Sequence, residues 1–249
     1  MEDKTFTHSV FAQSELSHHG LNLQAILDIN ALPDNIQTSL ATECEDLNAF
    51  RQLILFGHGG RRLWDSVSSF VDDAESADPI DTYTIKIVQD YFTDQHPEHR
   101  YQFVYPGSTS VPLQQLGALV GWHHDSPFKV GVNSTWGSWF AYRALLLVDS
   151  EFKPSKKVAF KSPCEDCEAQ PCIQACPASA MSEGELNLQR CVDYRKTSDS
   201  LCRAQCLARL ACPVATEHRY SDAQMSYHYL RSMRMIEHAA VVCKNIPDR

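Results

Sequence analysis

Eight of the ten cysteines in this 249-residue chain fall between Cys164 and Cys212, as two groups of four that each close on Cys-Pro. The first group is Cys164, Cys167, Cys172 and Cys176-Pro177; the second is Cys191, Cys202, Cys206 and Cys212-Pro213. Four thiolates are what one iron–sulfur cubane requires, and in two-cluster carriers the cysteine before the proline ligates the other cluster. By that rule Cys164, Cys167, Cys172 and Cys212 hold one 4Fe–4S cluster, and Cys176, Cys191, Cys202 and Cys206 hold the second. The spacers, x2-x4-x3 and then x10-x3-x5, are longer than the bacterial x2-x2-x3 pattern, so they imply inserted loop residues. Two structural zinc sites are the alternative for sets of four cysteines, although zinc gives no role to two Cys-Pro ends. Disulfides are a third reading. Cys44 and Cys243 stand outside the pattern and read as ordinary buried thiols.

The elements that must position these residues come in two kinds. Apolar stretches with strand character occur at 21–29, 52–56, 101–105 and 139–148. Between them, helical spacing or helix-start signals mark 33–41, 63–71, 78–91 and 112–120. This alternation over 20–150 predicts an α/β sandwich with a largely internal sheet. The Lys/Pro/Ser-rich stretch from Glu151 to Ser162 reads as a linker. The expected organisation is a polar N-terminal segment at 1–19, an α/β domain at 20–155, a cluster domain at 156–217, and a helix at 218–249 that returns to the first domain. Ser221 is the expected N-cap of that helix.

Composition narrows the class. Hydrophobic residues make up 43% and charged residues 21%, as in an ordinary globular protein. The formal net charge of -9 argues against a nucleic-acid partner, which would call for a basic excess. The longest apolar run, Ala144 to Val148, is far short of the roughly 20 residues of a membrane span. The N-terminus has no basic and apolar leader pattern, and metal-directed thiols suit a reducing compartment, so the expectation is a cytoplasmic protein.

Several segments carry a resemblance. Cys164 to Pro177 with Ala178-Ser179-Ala180, then Leu188-Gln189-Arg190-Cys191 and the closing Cys212-Pro213, resemble the C-terminal ferredoxin module of epoxyqueuosine reductases. Reductive dehalogenases have a similar layout. Upstream, Gly121-Trp122, Gly137-Ser138-Trp139-Phe140 and Leu145-Leu146-Leu147 resemble the cobalamin-binding core of that superfamily. Leu53 to Phe56, Asp78-Pro79-Ile80-Asp81, Trp139 to Arg143 and Arg219-Tyr220-Ser221 are similar to cobalamin-processing proteins of the CblC (MMACHC) type. The resemblance spans roughly 50–230. It implies an α/β (α+β) nitroreductase-like corrinoid-binding domain with a small C-terminal ferredoxin-like iron–sulfur domain. CblC-type proteins lack the cluster module, and epoxyqueuosine reductases carry a helical-repeat extension that this chain has no residues left to build.

The activity so implied is an oxidoreductase: an iron–sulfur protein that binds cobalamin base-off and reduces it or removes its upper ligand, by decyanation or dealkylation. An electron-donating reductase, flavodoxin or ferredoxin would be its partner. One alternative is a cobalamin-dependent reductase of an epoxide or halide; another is a non-enzymatic electron carrier. Arg143, in an otherwise apolar strand, matches an arginine of the CblC-type pocket and is the candidate catalytic and corrinoid-binding residue, a structural salt bridge being the alternative. Gly57, His58 and Gly59 form a turn able to approach the corrinoid or its phosphate. Trp136 and Trp139 could wall the corrin face, and Tyr105 and Ser110 are hydrogen-bond candidates. The His123-His124 pair reads as a solvated helix cap.

Overall fold

The alternating apolar patterns of the first half become the expected elements. The computed structural model describes residues 15–71, 78–156, 161–182 and 185–244. In chain order come α1 (Glu15–His18), β1 (Leu23–Asp28), α2 (Asp34–Glu43), β2 (Gln52–Gly59), α3 (Arg62–Val71), α4 (Pro79–Gln95), β3 (Tyr101–Tyr105), α5 (Leu113–Leu119) and β4 (Phe140–Val148). Each expected strand and helix of this half is present, with ends moved by a few residues. The polar N-terminal segment is described only from Glu15, and residues 1–14 lie outside the described residues.

The four strands form one antiparallel sheet in the order β1-β2-β4-β3. Every residue of β2 is buried, and so are Arg143 to Val148 of β4, with α3 packed on β2 and α4 on β4. Central strands covered in this way read as continuous apolar runs, which is how they stand in the sequence. Gln52 is polar within that core and fully engaged: its amide donates to Phe152 O at 2.6 Å and accepts from Ser150 Oγ and Phe152 N.

Two register breaks shape the upper end of the sheet. Phe56 faces Ala144 but Gly57 faces Tyr142, so Arg143 is the extra residue of a bulge in β4. Phe103 faces Leu146 and Tyr105 faces Leu145, which leaves Val104 extra on β3. A bulge bends the strand and re-aims the side chains around it. Here the two bulges flank the same stretch of β4.

Beyond β4 come four further helices: α6 (Pro171–Gln174), α7 (Leu188–Lys196), α8 (Leu207–Ala211) and α9 (Asp222–Lys244). The chain packs as two compact units, Met1–His124 with Trp139–Phe160 and Asp125–Ser138 with Lys161–Arg249. This division departs from the expected one at two places. Segment Asp125–Ser138 leaves the first unit, because Phe128 packs among Cys172, Met181 and Ala208. Helix α9 was expected on the first domain. It groups instead with the second unit, where Arg195 donates to Tyr229 O and Ser232 Oγ and Arg203 pairs with Glu237. Ser221 caps α9 as expected, accepting from Gln224 N at 3.2 Å. No helix among the described residues is long and apolar enough to cross a membrane.

Asp149 ties the end of β4 to the start of β3. Its carboxylate accepts from Arg100 N at 2.9 Å, Arg100 Nε at 3.2 Å and His99 Nδ1 at 3.3 Å. Burial alone would raise this carboxyl's pKa, but the hydrogen bonds from Arg100 and His99 win and hold it below the usual 3.8. A depressed folded-state value contributes stability that is complete above the unfolded value and is lost as pH falls through the folded one. Asp149→Asn is expected to cost about 1–2 kcal/mol in urea unfolding at pH 7. The gap between variant and parent should close as the pH drops below about 4.

Candidate functional site

The chain brings its eight patterned cysteines into two separate sets, and each set takes its fourth member from the other run. Cys164, Cys167, Cys172 and Cys212 line one pocket of the second unit, and Cys176, Cys191, Cys202 and Cys206 line another. Local structure explains the gathering. A left-handed turn at Gln170 starts α6, which carries Cys172. Asn187 caps α7, accepting from Arg190 N at 3.0 Å, and so sets the first turn that bears Cys191. The short α8 spans the chain between Cys206 and Cys212 and packs beside α6.

Electrostatics within the sets favour the neutral thiols. Burial pushes the Cys164 and Cys191 thiols up, and each is pushed further by the other three cysteines of its set. Cys172 and Cys202 are raised by the same causes. Bound metal reverses this balance by deprotonating a coordinating thiol. Among the described residues no three cysteine sulfurs lie within 4.8 Å of one another. Cys44 and the eight patterned cysteines are all free thiols.

Three residues complete this region that the sequence reading left out. Phe128 lines both pockets and stands between the two sets. Arg195, one helical turn after Cys191 on α7, is buried at the second set. Tyr229 of α9 lies within hydrogen-bond reach of Cys206 and Arg209, and burial is the main cause raising its pKa. The i,i+4 spacing of Cys191 and Arg195 was the available signal, since it puts both on one helix face. Phe128 had none, because it is far from the cysteines in sequence.

In the first unit the predicted ligand residues divide. Gly57, His58 and Gly59 end β2 and are buried, and Arg143 at the neighbouring bulge is 9% exposed. Arg143 Nε donates to His58 Nδ1 at 2.8 Å, so Nδ1 carries no proton and a neutral ring holds its proton on Nε2. This is the only hydrogen bond Arg143 makes among the described residues. The salt bridge offered as its alternative role is absent there. Burial raises the Tyr105 hydroxyl and the Arg143 charge lowers it, which places Tyr105 in the same neighbourhood.

Other expected positions do not converge on this point. Ser110 is exposed and held by Glu43, whose carboxylate accepts from Ser110 N at 2.6 Å and Oγ at 2.9 Å. Trp139 is fully buried, so its ring packs the core of the first unit. Trp136 belongs to the second unit and stacks on His218 at 4.4 Å between centroids. His123 is buried and meets the Tyr142 hydroxyl at 3.2 Å, where a solvated cap was expected. Cys44 donates to Gln102 Oε1, as an ordinary half-buried thiol can. His96, Glu98 and His99 also bring three ligand atoms together, on ground where His99 and Arg100 already share Asp149.

No protein-family model matches the chain, and no curated protein does. Among solved structures, epoxyqueuosine reductase from Streptococcus thermophilus is similar with a TM-score of 0.51 at 12% identity, covering 83% of this chain and 65% of that one. An epoxyqueuosine reductase crystallised with an epoxyqueuosine-modified tRNA-Tyr stem loop gives 0.51 and 12%, covering 84% and 66%. The C. elegans B12-trafficking protein CblC, a human MMACHC homologue, gives 0.48 and 14%, covering 88% and 89%. The chain thus has a mixed α/β fold like that of the epoxyqueuosine reductases, and spans 65% of the first of these.

Phe128 supplies a direct test of the packing between the thiol sets. Phe128→Ala should destabilise the protein by about 3–5 kcal/mol in denaturant unfolding, the range for a buried aromatic. Leu188→Ala, at a side chain 64% exposed, should change stability by no more than about 0.5 kcal/mol.

Proposed function

We propose that the protein is an iron–sulfur oxidoreductase that takes cobalamin as its substrate, reducing it or releasing its upper ligand. The observation that carries the reading is the pairing of two four-thiol sets in the second unit with the buried Arg143–His58 pair in the first. Two 4Fe–4S clusters, held by Cys164, Cys167, Cys172 and Cys212 and by Cys176, Cys191, Cys202 and Cys206, would supply one-electron transfer at low potential. An external reductase, flavodoxin or ferredoxin would deliver the electrons.

The residues of the first unit fit the binding half of this task. A buried guanidinium without a carboxylate seeks an anionic or carbonyl acceptor, and cobalamin offers a phosphate and amide carbonyls. His58 accepts from Arg143 through Nδ1 and so fixes the guanidinium at the end of β2. The bulge at Arg143 re-aims the side chains at this end of β4. For a cyanide upper ligand, cobalt takes up one electron and cyanide leaves with the bonding pair. The protein's part is to orient the corrinoid and keep water from it.

A second reading has a specific observation in its favour. The similarity to epoxyqueuosine reductases over 83% of the chain fits a reductase that keeps cobalamin as a fixed cofactor and acts on an organic substrate. The two differ in the fate of the corrinoid, which is altered in the first reading and recovered unchanged in the second.

Protein prepared and reconstituted without oxygen should co-elute with cyanocobalamin and, on reduction, release cyanide. Arg143→Ala should weaken cobalamin binding by about 10–100-fold, the loss of one charged hydrogen-bond donor, with iron content unchanged. Cys167→Ser should lower iron content and reduction while cobalamin still binds. Failure of cobalamin to co-elute with iron-loaded protein would contradict the reading.

A further inference from the structure

Arg195 is 8% exposed, and its guanidinium is fully directed. Nε donates to Cys202 O at 3.2 Å, Nη1 to Ser232 Oγ at 3.1 Å and Nη2 to Tyr229 O at 2.9 Å, and the Tyr229 ring centroid lies 5.3 Å from its Cζ. Every partner is neutral, and no carboxylate pairs with Arg195 among the described residues. A buried cation left without a counter-charge is costly to the fold. Arg195 lines the same pocket as Cys176, Cys191, Cys202 and Cys206.

The first thiol set lies in a different field. Arg219 reaches it only through backbone carbonyls, donating to Leu210 O at 2.7 Å and Cys212 O at 3.4 Å. Glu165, Asp166 and Glu168 lie between its first and third cysteines, and nearby Lys161 is engaged by Asp166. One set therefore has a guanidinium buried on the helix that carries one of its cysteines, whereas Arg219 beside the other is only half-buried.

We propose that Arg195 is the fixed counter-charge of the second thiol set, raising the reduction potential of the cluster held by Cys176, Cys191, Cys202 and Cys206. The inference rests on the reading of both sets as cluster sites. A positive charge that does not titrate favours the added electron, and at a buried position solvent screens it little. Electrons would then settle on the second cluster before the first. Arg195 acts as a positioning residue as well, since its bonds to Tyr229 and Ser232 hold α9 against this set.

EPR-monitored redox titration of the anaerobically reconstituted full chain tests the proposal. Arg195→Gln should move one midpoint negative by roughly tenfold in the reduction equilibrium, about 59 mV for one electron, and leave the other unmoved. Arg195→Lys, which keeps the charge, should restore most of the shift. Ser232→Asp places a carboxylate against Nη1 with Arg195 retained, and should move the same midpoint negative even if the glutamine variant fails to assemble. Unmoved midpoints in iron-complete variants, or equal shifts of both, would overturn the role of Arg195. Wild-type protein that binds no iron and sulfide would instead overturn the cluster reading on which it rests.

Discussion

The second unit is organised by one pairing constraint: each set of four thiols borrows its last member from the other run. Cys176 must leave its neighbours to join Cys191, Cys202 and Cys206, while Cys212 returns to Cys164, Cys167 and Cys172. The chain between Cys176 and Cys212 is thereby closed at both ends. Its short helices cannot bury a core by themselves, so α6 and α8 pack together and Phe128 is drawn in from a remote segment. Arg195 and Tyr229 then fasten α9 over the second set. Stability of this unit and occupancy of the thiol sets are one property under the proposed reading, because metal binding to such sites is coupled to folding.

The same physical logic recurs in the first unit on a smaller scale. Arg143 is buried at a bulge with a neutral histidine as its partner, and Arg195 is buried with neutral oxygens as its partners. Among the described residues neither makes the carboxylate pair that would make a buried guanidinium purely structural. Under the proposed reading the counter-charge is a ligand for Arg143 and a thiolate-bound cluster for Arg195. One pair of arginines thus links the substrate half of the proposal to the electron half.

Much of this was legible in the chain because it follows from local rules. The strand and helix positions came from apolar periodicity, which depends on neighbours within a few residues, and the crossed grouping of the cysteines came from the general rule that the one before a proline joins the other set. What could not be read depended on distant pairing. Arg143 looks like any residue of a continuous strand until Gly57 pairs with Tyr142 and leaves it extra. Trp136 and Trp139 are three residues apart but fall in different units. Ser110 was aimed at a pocket, whereas Glu43 of a sequence-distant helix holds it at the surface. No composition or spacing signal carries those pairings.

The crossover itself is open to the most direct measurement, cluster counting by EPR and iron analysis on reduced single and double cysteine variants. Cys212→Ala should lose one cluster, adding Cys164→Ala should cost nothing more, and adding Cys202→Ala should remove the remaining cluster. Two clusters assigned run by run would give the opposite pattern, with Cys202→Ala silent in the Cys212→Ala background and Cys164→Ala decisive. That opposite pattern would contradict the account.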